Sequence, residues 1–280
     1  MHNISQRESS SWLLSSSVLL VLIVFTTNSA TVAFDAQATD ALTPSQREIE
    51  KQHQRLASID EEERRDAVMR LGAMHLAAAS RVCLSALADP SPKVRAVAAH
   101  AILALGSEES ASALIPILND NDDFVRREVA YSLGLTRSRR ATSLLGERLV
   151  NDKEDGVRGA AAIALGEVAD EAAVVVLATV LSSQPSAQRN GKRKRRDERN
   201  PFVLRAIATA LGRIKSRAGV PALLTALANE KLPDDVRREA ARALGIIGDP
   251  VAVPALRTAS SAADPYLALT AYESLRKIAP

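Results

Sequence analysis

Apolar residues recur along this chain at the spacing of one helical face, in ten-residue stretches that resemble one another. Val157–Gly166 is the clearest: apolar at 157, 161, 164 and 165, basic at 158, with Gly at the end. Numbered 1 to 10, the same template starts at Glu63, Val94, Val125, Val157, Val203, Val236 and Leu267. Position 9 is Leu71, Ile102, Leu133, Leu165, Leu211, Leu244 and Leu275, and position 5 is Ala67, Ala98, Val129, Ala161, Ile207, Ala240 and Ala271. Position 8 is Ala or Ser except at Arg70. Positions 1, 5, 8 and 9 share a face at the helical period, so each template predicts a short amphipathic helix. Small residues at 5 and 8 let neighbouring helices approach, and Leu at 9 supplies the volume. Position 10 is Gly72, Gly134, Gly166, Gly212 and Gly245, which predicts a helix stop in the left-handed conformation that Gly adopts without a Cβ penalty. Leu103 and Arg276 depart, and the second repeat is expected to run on to Gly106.

Each template is followed by a second apolar stretch: Ser110–Leu118, Ala141–Val150, Ala172–Leu181, Val220–Leu227 and Val251–Thr258. Pro221 and Pro254 fit a first helical turn, where the missing N–H has no partner to lose. Asp89-Pro90, Asn119-Asp120, Asn151-Asp152 and Asp264-Pro265 then supply turn and N-cap chemistry for the next helix. The templates are spaced by 31, 31, 32, 46, 33 and 31 residues. A constant period with one insertion marks a solenoid. The fold class expected is therefore all-α, a stack of about seven helical pairs over residues 57–280, with an extended surface formed by the second helices. The end repeats depart most, at Glu63 and Arg70 and at Ala268 and Arg276, as terminal units facing solvent should.

The recurrent D-x-x-x-x-V-R-x-x-A-x-x-A-L-G, clearest from Asp152 to Gly166 and close from Asp120 to Gly134 and from Asp234/Asp235 to Gly245, resembles HEAT repeats. It is most similar to the short subclass named for phycobilisome lyases. The resemblance implies an α-solenoid; such repeats serve many roles, so it implies the fold far more strongly than an activity. The lyases of that subclass attach bilins to antenna proteins, and no residue here carries over for that chemistry. HEAT-type hydroxylases that use iron carry paired His-Glu motifs, whereas His75 precedes Leu76 and His100 precedes Ala101. The function expected is a non-catalytic protein-binding scaffold. A bilin-lyase-like enzyme or chromophore chaperone stands as one alternative, and polyanion binding through a basic loop as another.

The Arg at position 2 is Arg64, Arg95, Arg126, Arg158 and Arg237, with Leu204 and Ala268 departing; Asp precedes it by six residues at Asp89, Asp120 and Asp152. Such a row suits an anionic groove or a structural ladder pairing one repeat with the next. The ladder is the expectation, since the row belongs to the repeat itself. Each exposed pair would contribute only ~0–1 kcal/mol.

Aromatics make up 3% of the chain while Ala and Leu abound, which favours closely packed helices over a sheet sandwich. The net charge of +3 hides one basic segment: residues 189–199 carry a balance of +5, leaving −2 for the rest. No basic face runs along the fold, and no specific nucleic-acid partner is expected. Lys192, Arg193, Lys194, Arg195 and Arg196 lie in an insertion at 182–200 whose composition is that of a self-repelling, disordered segment. It reads as a solvated tether, an anion- or partner-docking arm, or a dibasic processing site. A nuclear signal would fit the residues, but an export signal contradicts it.

That signal is expected at residues 1–33: Arg7 in a polar start, an apolar core at Val18–Phe25, then small residues with cleavage after Ala30 or Ala33. The core is short for a span of ~20 residues, which favours cleavage over an anchor; membrane contact is expected only if the segment is retained. A linker at 34–56 becomes helical near Gln46–Leu56. The chain is thus expected outside the cytoplasm, periplasmic or extracellular. The single cysteine, Cys83, allows no internal disulfide and sits in an apolar pattern as a packed thiol. His2, His53, His75 and His100 lack metal-ligand spacing, and no phosphate loop or nucleophile elbow is present. No catalytic residue, cofactor or metal ligand is expected.

Overall fold

The computed structural model describes residues 42–183 and 200–278. The expected signal at 1–33 and the basic run Lys192–Arg196 lie outside the described residues. Described residues form fourteen α-helices and no strand. Template helices are α2 (Glu61–Ala73), α4 (Pro92–Ala101), α6 (Asp123–Thr136), α8 (Asp155–Val168), α10 (Pro201–Ile214), α12 (Asp234–Ile247) and α14 (Pro265–Ile278). The other layer is α1 (Pro44–Arg55), α3 (Ala77–Cys83), α5 (Ser107–Leu114), α7 (Thr142–Asn151), α9 (Ala173–Ser182), α11 (Val220–Ala228) and α13 (Val253–Ala259). Each template helix packs on its neighbours in sequence and on the second helices beside it, giving a two-layer α-solenoid. Helix α1 packs on α2 and α3.

The periodic positions account for the core. Leu71, Leu133, Leu165, Leu211 and Leu244 are buried, as are Ala67, Ala98, Val129, Ala161, Ile207, Ala240 and Ala271 at position 5. Burying one such Leu contributes about 1.5–3 kcal/mol. Leu275 is only partly covered, because no template helix follows α14 among the described residues. Pro221 and Pro254 sit in first turns, as their missing N–H requires.

The position-10 glycines correct the sequence expectation. They do not stop their helices. The left-handed residue comes three positions later, at His75, Arg137, Ala169, Lys215 and Gly248. The glycines themselves lie inside the helix, each against position 8 of the next repeat. A Cβ on Gly72 would stand 2.9 Å from the Ala101 Cβ, and on Gly134 2.7 Å from the Ala164 Cα. On Gly166 it would stand 2.8 Å from the Ala210 Cα, on Gly212 3.0 Å from the Ala243 Cα, and on Gly245 2.5 Å from the Ser274 Cβ. Position 10 is therefore a contact between repeats, and the small residue at 8 is its other half.

The second repeat shows what happens without that glycine. Leu103 occupies position 10, and α4 ends at Ala101 instead of running on to Gly106. The chain continues as a 3-10 turn, Ile102–Ala104. The second helix there is also shorter than expected: α5 ends at Leu114 and a 3-10 turn, Ile115–Asn119, carries Pro116.

Ala169 holds φ 54°, closing α8 through its N–H to the Leu165 carbonyl at 3.1 Å. A non-glycine residue there costs about 1–2 kcal/mol. Ala169→Gly is expected to raise stability by about 1 kcal/mol, since Gly248 already fills the equivalent place in the sixth repeat. Thermal unfolding checks it; a melting temperature equal to or below that of the parent contradicts the assignment.

Candidate interaction surface

The Arg row divides into two modes. Arg64 donates from Nε and Nη2 to Asp89 at 2.7 and 2.9 Å, and Arg95 does the same to Asp120 at 2.7 and 2.8 Å. Arg126 reaches Asp152 at 2.8 and 3.0 Å. Each Nη1 also donates to two carbonyls just before its own helix, as Arg126 does to Asp120 and Asn121. Each Asp in turn accepts the N–H two residues on: Ser91, Asp122 and Glu154. One rung thus ties a helix start, the turn before it and the turn of the next repeat. The third rung is the most enclosed, with side chains 6% and 2% exposed at Arg126 and Asp152.

Arg158 and Arg237 depart from the expected ladder and fold back. Arg158 donates to the Leu149 carbonyl and to Asp155, both at 3.1 Å; Arg237 donates to the Leu227 carbonyl at 3.1 Å and to Asp234 at 2.9 Å. For Arg237 the partner position is Ala262, which offers no carboxylate; for Arg158 it is Glu198, outside the described residues. In the fifth repeat both members change together: Leu204 replaces the Arg and is buried, and Lys231 stands where the Asp would be.

Burial pushes the carboxyls of Asp89, Asp120 and Asp152 upward, but the guanidinium bonds and the backbone N–H outweigh it and hold them below the usual range. The ladder is neutral and internally satisfied. It offers an external anion no free guanidinium. Cys83 is buried, and burial alone pushes its thiol up to about 12, which leaves it unreactive at neutral pH. His100 faces Glu128 at 3.0 Å on the surface. Among the described residues no group of three His, Cys, Asp or Glu side chains stands together for a metal, and no helix is long and apolar enough to cross a membrane.

What remains is a surface that periodicity does not reveal. The described residues hold five aromatics: Phe124, Tyr131, Phe202, Tyr266 and Tyr272. All lie on template helices and none is buried. Phe124, Phe202 and Tyr266 occupy the same register, one residue before position 1, in the third, fifth and seventh repeats. Arg127 lies over the Phe124 ring at 5.0 Å and Arg238 over Tyr266 at 5.8 Å. In the fourth repeat this register holds Gly156, followed by Gly159 and Ala160. The Phe202 ring rests over Gly159, where a Cβ would overlap it. Beside it opens a recess of 370 Å³. Ile163, Ala206 and Ala210 line its apolar part, and Arg205, Arg213 and Glu239 its rim. Arg205 pairs with Asp235 at 2.6 Å, and Arg213 pairs with Glu167. Aromatic and Arg side chains are enriched in protein interfaces.

This surface lies on the template helices, in addition to the layer of second helices expected to form the extended surface. The signal in the sequence was the aromatic register itself, visible only after the templates are aligned. The run Lys192–Arg196 lies outside the described residues.

A search of curated proteins finds no match. Among solved structures, the complex of CpcE and CpcF of phycocyanin lyase from Nostoc sp. PCC7120 is similar at 23% identity, covering 84% of this chain and 87% of that one, with a TM-score of 0.47. Human deoxyhypusine hydroxylase in complex with glycerol is similar at 21% identity, covering 89% and 90%, with a TM-score of 0.42. A designed armadillo repeat protein is similar at 15% identity, covering 81% and 98%, with a TM-score of 0.40. These are likenesses of fold. The model of the HEAT repeats matches residues 49–134, 113–191 and 194–276. Stacked helix pairs, the Arg–Asp rungs and three matched segments spanning most of the chain agree, and the protein belongs to the HEAT-repeat family.

Proposed function

We propose that this protein is a non-catalytic scaffold that binds another protein through its template-helix face, outside the cytoplasm. One observation carries the binding face: Phe124, Tyr131, Phe202 and Tyr266 stand exposed or half-exposed on it, while the core is built from Ala, Leu, Val and Ile. Tyr272 holds a position that the other repeats bury and is exposed at the end of the stack. Aromatic and Arg anchors of this kind supply most of the energy of protein interfaces. The polar groups that repeat along the chain are consumed by the ladder, which supports a structural and not a catalytic use of them. The location rests on the N-terminal sequence alone.

Crosslinking the protein in its own cells, followed by mass spectrometry, tests both parts. The expected result is one partner joined through α6, α8, α10, α12 and α14, and an N-terminus beginning after Ala30 or Ala33. Combining Tyr266→Ala with Arg238→Glu should cut partner recovery at least tenfold, equivalent to about 1.4 kcal/mol, without changing the melting temperature. Crosslinks confined to other surfaces would overturn the face. Turnover of a substrate by the purified protein, lost on changing one polar cluster, would overturn the scaffold reading.

A further inference from the structure

The second-helix layer holds a separate groove of 650 Å³ between α7 and α9. Its apolar walls are Val150, Val175 and Val176; Val175 is 75% exposed and Val150 51%. Val150, Val175 and Val176 come from two helices and line one groove, so they form a contiguous apolar strip and not scattered single residues. Gly146 opens the groove. It follows the buried Leu145, where Ala178, Leu224 and Arg257 follow the buried Leu177, Leu223 and Leu256 in later repeats. Only the first of these positions lacks a side chain. Farther along the same layer, the space beside Leu181, Thr225 and Asn229 is a slit of 10 Å³.

Charge marks one end. Arg139 and Arg140 stand in the turn that leads into α7. Arg140 donates to the Ser112 hydroxyl at 2.5 Å, with Glu108 at 3.8 Å. Arg139 has no carboxylate within ion-pair distance among the described residues. Glu147 and Asn151 lie farther along α7 and offer oxygen acceptors to a passing backbone N–H.

We propose that this groove binds a short segment of a protein partner that brings aliphatic side chains to Val150, Val175 and Val176 and a carboxylate to Arg139. The volume lies within the ~300–1,000 Å³ of ligand clefts, the scale of a few residues. Carboxylate meets guanidinium in a charge-assisted, directional pair, and here the guanidinium has no internal competitor. The site is on the layer opposite the aromatic face, so it stands or falls independently of that face.

The test pans a random phage-displayed peptide library on the whole protein, with Gly146→Leu as counter-selection. That variant fills the groove: a Cβ on Gly146 meets only Val176, at 3.5 Å, which is ordinary contact. The expected result is enrichment of peptides pairing two or more aliphatic residues with Asp or Glu. Their synthetic forms should bind at least tenfold more weakly to Val175→Glu and to Arg139→Ser, and equally well to Tyr266→Ala. Val175 is a surface side chain, so its variant keeps the fold. No enrichment over Gly146→Leu, enrichment of basic or purely polar peptides, or undiminished binding to Val175→Glu would overturn the proposal. If a partner is still captured through the template helices in that case, only the groove assignment is lost.

Discussion

Asp152→Ala lowers the stability of the stack by about 3–5 kcal/mol, the cost of leaving a buried charge without its partner. Arg126 keeps 6% and Asp152 2% of side-chain exposure, so water cannot replace the lost carboxylate. Two guanidinium N–H donors and the Glu154 N–H lose their acceptor together. Arg95 and Asp120 are more open, at 17% and 10%, and Asp120→Ala is expected to cost less. Urea unfolding at neutral pH measures both. A parent-like midpoint for Asp152→Ala would show that the rung contributes nothing. Replacing both partners by apolar residues, Arg126→Met with Asp152→Leu, should recover the part of the loss that is uncompensated charge. It should not recover the part that comes from the Glu154 N–H and the Asp120 and Asn121 carbonyls losing their partners.

The same rung predicts a pH dependence. The folded-state carboxyl of Asp152 is held low: burial raises it, but the bonds from Arg126 and the Glu154 N–H outweigh that rise. Asp89 and Asp120 are held low in the same way. A carboxyl depressed by folding stabilises above its unfolded value, near pH 3.9, and that contribution is lost as pH falls through the lower folded value. The stability gap between the parent and Asp152→Ala should therefore be full at neutral pH and close in strong acid. A gap that stays constant down to pH ~2 would assign the loss to packing instead.

Gly134→Ala is the second large effect, and its sign is diagnostic. A glycine in a helix interior normally gains about 1 kcal/mol on becoming alanine. Here the added methyl would stand 2.7 Å from the Ala164 Cα, and a backbone atom cannot swing aside. Two template helices must separate, at a cost of about 1–3 kcal/mol. Gly106→Ala is the control, since nothing lies within 4 Å of its Cβ, and it should be nearly neutral. If Gly134→Ala is stabilising, the glycine is not an interhelical contact. Because each repeat is held by its neighbours, loosening the third against the fourth should also lower the cooperativity of unfolding.

Much of this fold was legible in the sequence because its information is local and repeated. Seven copies of one face name the apolar positions at 1, 5, 8 and 9, and burial follows them closely. Pro221 and Pro254 were placed by a property of the residue itself, the missing N–H. The position-10 glycine was harder. Glycine serves equally for a left-handed cap and for a close approach, and the sequence of one repeat cannot show the next repeat's Ala164 behind it. The ladder was half legible for the same reason: Arg64, Arg95 and Arg126 have an Asp one repeat on, whereas Arg237 meets Ala262 and turns back to its own Asp234.

The candidate surfaces were the least legible. Phe124, Phe202 and Tyr266 share a register but are scattered through the chain, and no local rule singles them out. The α7–α9 groove joins Gly146 and Val150 to Val175 and Val176, a combination of side chains that carries no motif.

By itself the sequence determined the period, the helix type, the buried face and the residue kinds available for each rung, since these follow from spacing and from the chemistry of single residues. Only the tertiary structure decided what the glycines touch, which arginines reach an aspartate, and which unrepeated side chains meet on each layer. Those outcomes depend on atoms about thirty residues apart coming within a few ångströms, and that distance is set by the stacking of whole helices.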